Sequence, residues 1–253
     1  ADHLLQALRR PLQLDGHELV ITASVGISLF PHTARDGLLL ITQANQAMQH
    51  AKHLGGNGYQ FYSDRLQAHG IERLQLENQL RKALDDDQLV VYYQPKQDLP
   101  DGELRAAEAL VRWQHPERGL LAPGAFIELA EETGMIIRLG HQVLQAACEQ
   151  ASSWYQSGQP VQVAVNLSVQ QLRQRGFAEQ VADILRTTGL PASYLQLELT
   201  ESMLLEQLEV VEQNIAALRQ QGITLAIDDF GTGYSSLAYL KRFPISTLKI
   251  DRA

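Results

Sequence analysis

The sequence predicts an α/β protein: a (β/α)8-type barrel lacking its last strands, preceded by a small α+β unit. Three observations carry this. Strand-like and helix-like stretches alternate from Gln88 onward, with short connections and glycines where helices end, which implies parallel strands with right-handed crossovers. Six such strands are visible where an eight-stranded barrel needs about two more units. The charge also shifts: residues 1–63 hold four basic and four acidic residues and five of the eight histidines, so the net −8 of the chain lies wholly beyond them.

In the first unit, Glu18–Phe30 is β-branched and reads as one strand ended by Pro31. Leu38–Leu54 carries Leu39, Ala44, Ala47, Met48 and Ala51 at helical spacing, and Gly55–Gly56 stop it in the manner of a C-cap. Tyr59–Tyr62 is a short aromatic strand. Arg65–Leu84 is a charged linker helix. The expected division is 1–63, a linker at 64–86, and 87–253.

In the last part the strand runs are Leu89–Gln97, Leu104–Trp113, Val161–Leu167, Tyr194–Thr200, Ile223–Phe230 and Thr247–Asp251. Helical stretches lie at Pro123–Thr133, His141–Tyr155, Phe177–Thr188, Leu205–Gln221 and Ser235–Arg242, with Gly134, Gly158, Gly189 and Gly222 at their ends.

Composition narrows the function. With 45% apolar and 20% charged residues the chain is globular. No apolar run approaches the ~18–20 residues of a membrane span, and no secretory signal is visible at the start, so a cytoplasmic location is expected. Cys148 is the single cysteine, which excludes an internal disulfide and a cysteine-based zinc site. An acidic chain is ill suited to gripping a nucleic-acid polymer through its phosphates. A small anionic ligand remains open, because a metal reverses the local sign.

The polar residues on the strands are few and placed alike. Glu108 and Arg112 lie on the second strand, Asn166 near the end of the third, and Glu198 on the fourth with Glu201 just beyond. Asp228 and Asp229 lie on the fifth and Lys249 on the sixth. In a parallel α/β barrel the carboxyl ends of successive strands converge on one open face. The expected product is an oxygen-rich cluster suited to hard cations such as Mg²⁺ or Mn²⁺. Such a pair of ions activates water and steadies both oxygens of a phosphoryl displacement. Gly231-x-Gly233 after a strand invites a dinucleotide-loop reading, but Asp228 and Asp229 would repel a pyrophosphate. A lid hinged at those glycines fits better.

Glu108-Ala-Leu with Arg112-Trp113, the run from His115 to Ile136, Asn166-Leu-Ser, Glu198-Leu-Thr-Glu201, Asp228-Asp-Phe-Gly-Thr-Gly and Leu248-Lys-Ile-Asp251 follow in an order that closely resembles the EAL domain of bacterial signalling phosphodiesterases. The resemblance implies a barrel with an antiparallel first strand and metal-dependent hydrolysis of cyclic di-GMP to linear pGpG. It implies that Glu108, Asn166, Glu198 and Asp228 are metal ligands, that Asp229 serves a second metal, and that Lys249 helps hold the attacking water. Arg112 resembles the substrate-phosphate contact, and Glu201 the acid that shapes the lid. The catalytic group so implied is Glu108, Asp229, Lys249 and Glu201, with two Mg²⁺ or Mn²⁺ ions per site, cyclic di-GMP as ligand and a homodimer as a known habit of the family. The alternative is a non-catalytic cyclic di-GMP receptor or scaffold, which usually lacks ligands that are filled here.

Residues 1–63 resemble the C-terminal half of a GGDEF domain through Ala23–Pro31, Ala44–Lys52, Gly56-Asn-Gly and Tyr59–Tyr62. Asn45 and Gln49 depart from that family's pattern and its signature stretch is absent, so cyclase activity is not expected. The family's essential glutamate on a later strand is also absent. The sequence is therefore expected to be a fragment of a GGDEF–EAL tandem protein, truncated at both ends, that hydrolyses little alone.

Overall fold

The computed structural model describes residues 1–9, 11–14, 17–19, 21–200, 203, 209–231 and 245–250. The chain divides into two compact units, Ala1–Asn78 and Gln79–Ala253.

The first unit opens with α1 (Asp2–Leu8) and an antiparallel pair, β1 (Leu12–Leu14) and β2 (His17–Leu19). β3 (Val25–Ile27) pairs in parallel with β4 (Tyr59–Phe61), and α2 (Gly37–His53) connects them. The single strand expected over Glu18–Phe30 is thus two short strands in different sheets; the chain changes pairing partner between them. Asp36 caps α2 by accepting from Leu39 N–H. Gly26 is required by packing: a Cβ there would lie 1.8 Å from the Ala44 carbonyl oxygen and 2.3 Å from the Met48 nitrogen. Ala47, Tyr62 and Leu66 form a buried cluster. The charged helix expected to link the units is α3 (Asp64–Ala83).

The second unit contains all six expected strands. β5 (Leu89–Gln97) runs antiparallel to β6 (Leu104–His115), as the family resemblance implied. A short β7 (Gly119–Leu121) folds back on β6. Beyond β6 come β8 (Gln162–Asn166), β9 (Leu195–Thr200), β10 (Thr224–Phe230) and β11 (Thr247–Ile250), each parallel to its neighbour. The order across the sheet is β11-β10-β9-β8-β6-β5. β9 is almost wholly buried, and the three consecutive middle residues of β8 and of β10 are buried too, as in strands covered on both faces.

The helices are α4 (Ile127–Glu132), α5 (Ile136–Gln156), α6 (Val169–Leu172), α7 (Phe177–Thr188) and α8 (Glu209–Gln220). α7 has the bounds read from sequence. The helix expected over Pro123–Thr133 is instead a 3-10 turn at Pro123–Ala125 followed by α4. Phe126 separates the two, buried edge-on against Trp113 at 5.7 Å. α5 starts five residues before the expected His141. Gly140 lies inside α5 in a close contact, where a Cβ would lie 2.2 Å from the Gln171 side chain. The expected helix at Ser235–Arg242 and the start of Leu205–Gln221 lie outside the described residues, as does Asp251. Among the described residues no helix is long and apolar enough to cross a membrane.

At the amino ends of the parallel strands, polar side chains tie together strands that lie two apart. Gln162 on β8 donates to Thr224 on β10 (3.2 Å) and to the Ser193 carbonyl (2.9 Å). Gln196 on β9 donates to Thr247 on β11 (3.2 Å). Each tie spans two strands, so together they pin the register that sets the other end.

Candidate metal centre

Strand register determines which side chains meet. Asn166 is paired with Glu198, Glu198 with Ala226, and Ile227 with Leu248, so the polar positions step across the sheet together. Glu108 is paired with Ala164 on one side and Gln94 on the other. The small Ala164 and Ala226, paired with Glu108 and Glu198, are fully buried and leave the space to the longer polar chains.

Glu108, Glu198 and Asp228 each offer a carboxylate oxygen, and these oxygens all lie within 4.8 Å of one another. Lys249 Nζ sits among them, donating to Asp228 Oδ2 (2.8 Å), Glu108 Oε2 (3.1 Å) and Glu198 Oε2 (2.5 Å). Asn166 Nδ2 donates to Glu108 Oε1 at 2.9 Å. Glu198 is the anchor, with its side chain wholly buried. Burial by itself would lower the Lys249 pKa. The hydrogen bonds to Asp228 and Glu198 and the charges of Glu198 and Glu108 outweigh that and hold it above the ordinary lysine value.

One member of the cluster was not anticipated. Lys96, near the end of β5, donates to Glu198 Oε1 at 2.6 Å and lies 3.7 Å from Glu108 Oε2. β5 and β9 are three strands apart, about 14 Å on a flat sheet at the usual spacing. Lys96 and Glu198 meet because the sheet curls. The available signal was a lysine at an alternating position beside Glu108, but strand-end logic for parallel strands gave an antiparallel strand no place in the site.

The other expected residues stand as follows. Asp229 follows Asp228 at a break in the β10–β11 pairing, with a left-handed backbone (φ 53°), and its N–H donates to Asp228 Oδ1 at 3.0 Å. Its exposed side chain is not one of the three clustered carboxylates. Arg112, half-buried on β6, donates to the Val111 carbonyl and lies over the Tyr92 ring at 5.9 Å. Glu201 and the lid expected from Gly231 onward lie outside the described residues, apart from Gly231 itself.

The donor set is all oxygen, three carboxylates and a carboxamide, which fits a hard divalent cation. A pocket of about 270 Å³ lies where β6 and the end of β8 meet α4, α5 and α6, lined by Val111, Ile127, Leu139 and Leu167; of the donor set, Asn166 alone borders it. Glu131 borders this pocket and is half-buried; burial and then Glu128 raise its pKa.

This fold and this arrangement of strand-end acids define a class. Residues 77–253 match the EAL domain family, and residues 1–58 match the diguanylate cyclase GGDEF domain. The chain belongs to the EAL family. It is 44% identical over 254 residues to the cyclic di-GMP phosphodiesterase NbdA of Pseudomonas aeruginosa, covering all of this chain and 32% of that protein. It is 40% identical over 252 residues to the cyclic di-GMP phosphodiesterase PdeR of Escherichia coli K12, covering all of this chain and 38% of that one. The chain thus spans about a third of the length of these curated relatives. Among solved structures it resembles the PaMucR phosphodiesterase in complex with c-di-GMP, with a TM-score of 0.67 and 46% identity over 70% of this chain and 72% of that one.

Proposed function

We propose that the EAL unit hydrolyses cyclic di-GMP to linear pGpG with Mg²⁺ or Mn²⁺, two ions per site. The observation that supports this most is the convergence of Glu108, Glu198 and Asp228, from three strands, on one point held by Lys249. The names of the relatives point the same way. Glu108, Asn166, Glu198 and Asp228 would hold the first ion and Asp229 would serve the second. When bound, such ions supply Lewis-acid charge and a more acidic water. Lys249, which borders all three carboxylates, would yield those oxygens to the ion and turn its ammonium to the attacking water. Arg112, four residues beyond Glu108 on the same face of β6, donates to a phosphate oxygen of the substrate. Glu201 shapes the loop after Asp229.

The division at 1–63, 64–86 and 87–253 belongs to the same proposal, as do a cytoplasmic setting and a homodimer. The buried, unpaired Cys148 is compatible with a reducing compartment.

The test is metal-dependent conversion of cyclic di-GMP to linear pGpG by the protein that carries this segment, followed by chromatography. Glu108→Ala is expected to lower turnover by more than ~100-fold, beyond what losing a supporting hydrogen bond costs. Tight nucleotide binding with no metal-dependent turnover would instead establish a receptor.

A further inference from the structure

We infer that Lys96 sets the metal preference of the cluster by holding Glu198 to one-oxygen ligation. This rests on the metal-centre reading and extends it.

The argument begins with backbone register. Lys96 is paired with Ala106 and Gln94 with Glu108, so Lys96 shares a face with Glu108. The short Ala106 beside it leaves its stem free to cross the curled sheet. Its ammonium then binds Glu198 Oε1 at 2.6 Å. The opposite oxygen of the same carboxylate, Oε2, faces Lys249. Both oxygens of a fully buried carboxylate are thereby assigned, to different ammonium groups.

The two lysines are not equivalent. Lys249 touches one oxygen of each of the three acids, so it stands where a single cation would meet all three. Lys96 stands to one side, hydrogen-bonded among the described residues to Glu198 alone and 3.7 Å from Glu108 Oε2. A cation that takes over the oxygens facing Lys249 receives Oε2 of Glu198, while Oε1 stays with Lys96. Ca²⁺ favours six to eight oxygens and readily takes both oxygens of a carboxylate; Mg²⁺ and Mn²⁺ accept one from each. Lys96 therefore disfavours Ca²⁺ relative to the smaller ions. Its positive charge also lowers affinity for every cation, so the diagnostic quantity is the ratio of two affinities.

The experiment measures Mn²⁺ binding to the full chain by the spin-resonance signal of free Mn²⁺, with Ca²⁺ as competitor. Lys96→Met is expected to raise the Ca²⁺/Mn²⁺ affinity ratio at least about fivefold. Lys96→Ala, which adds no apolar bulk, is measured alongside and should show the same rise. Lys96→Arg keeps a charged donor and should hold the wild-type ratio. An unchanged or lower ratio in folded Met and Ala variants overturns the inference and leaves the metal centre standing. So does failure of both variants to fold, which would make Lys96 a residue of stability. A wild-type chain that binds no Mn²⁺ overturns the metal-centre reading itself, and the inference with it.

Discussion

Glu198 carries more of the site than its neighbours, because its carboxylate is wholly buried between Lys96 and Lys249. Glu198→Gln keeps the shape and removes the charge. Breaking a buried ion pair from one side typically costs 3–5 kcal/mol. The two lysines are partly exposed and regain water, so the expected loss is about 3 kcal/mol, read from denaturant unfolding. The same variant should abolish Mn²⁺ binding. Cys148 makes the opposite case, a reactive group with no visible work. Burial and then the Glu149 carboxylate push its thiol up to about 12 from the usual 9. Native chain at pH 8 is expected to resist Ellman's reagent until it unfolds; rapid reaction would contradict the packing. The folded value is the higher one, so the thiol's contribution to stability is whole below pH 9. It is lost between pH 9 and 12, at about 1.4 kcal/mol per pH unit. The sequence made the roles of these two residues unequally plain. Glu198 stood out as an acid in an apolar strand. Its second partner did not, since the one trace it left was a lysine on an antiparallel strand, three strands from Glu198.

At the scale of elements, the joint between α5 and α6 decides how well Asn166 is placed. Ser168 caps α6 in a reciprocal box with Gln171, two residues after Asn166. Gly140 of α5 lies against that same Gln171 side chain. Gly140→Ala should gain about 1 kcal/mol of helix propensity but lose more by displacing Gln171, for a net loss of about 1–2 kcal/mol. A lower melting temperature with weaker Mn²⁺ binding would bear this out; a stabilised variant would not. The helix and strand alternation was legible because parallel strands buried on both faces are apolar throughout and helices are striped. The start of α5 was not, because only Thr133, Gly134 and Met135 separate it from α4, too few for the periodicity to mark a new beginning. What distinguishes Gly140 is the neighbour it touches, and that neighbour is 31 residues away.

At the scale of the molecule, the division into two compact units gives a test of locality. Gly26→Ala would drive a Cβ into the backbone of α2, with no flexible side chain to yield. It should cost about 3 kcal/mol or more in the first unit. Hydrogen exchange is expected to quicken within residues 1–78; the same increase along β8–β10 would refute a confined effect. The break between β2 and β3 was hidden from the sequence for a related reason. The β-branched Val20-Ile21-Thr22 between them reads as unbroken strand, and only the partners of β2 and β3, one antiparallel and one parallel, separate the two. The barrel strands escaped that ambiguity because turns and helices of ordinary length separate them.

The pair of lysines in the cluster also bears on how the protein is made. Two ammonium groups already offset most of the charge of three carboxylates, so the strands that carry them can come together without help from a cation. Folding and loading are then separate events, unlike those of a small zinc domain that collapses under a chelator. EDTA should leave the melting temperature within a few degrees of its original value, a shift of about 1 kcal/mol at most. A newly synthesised chain could wait, fully shaped, for whichever ion its surroundings supply.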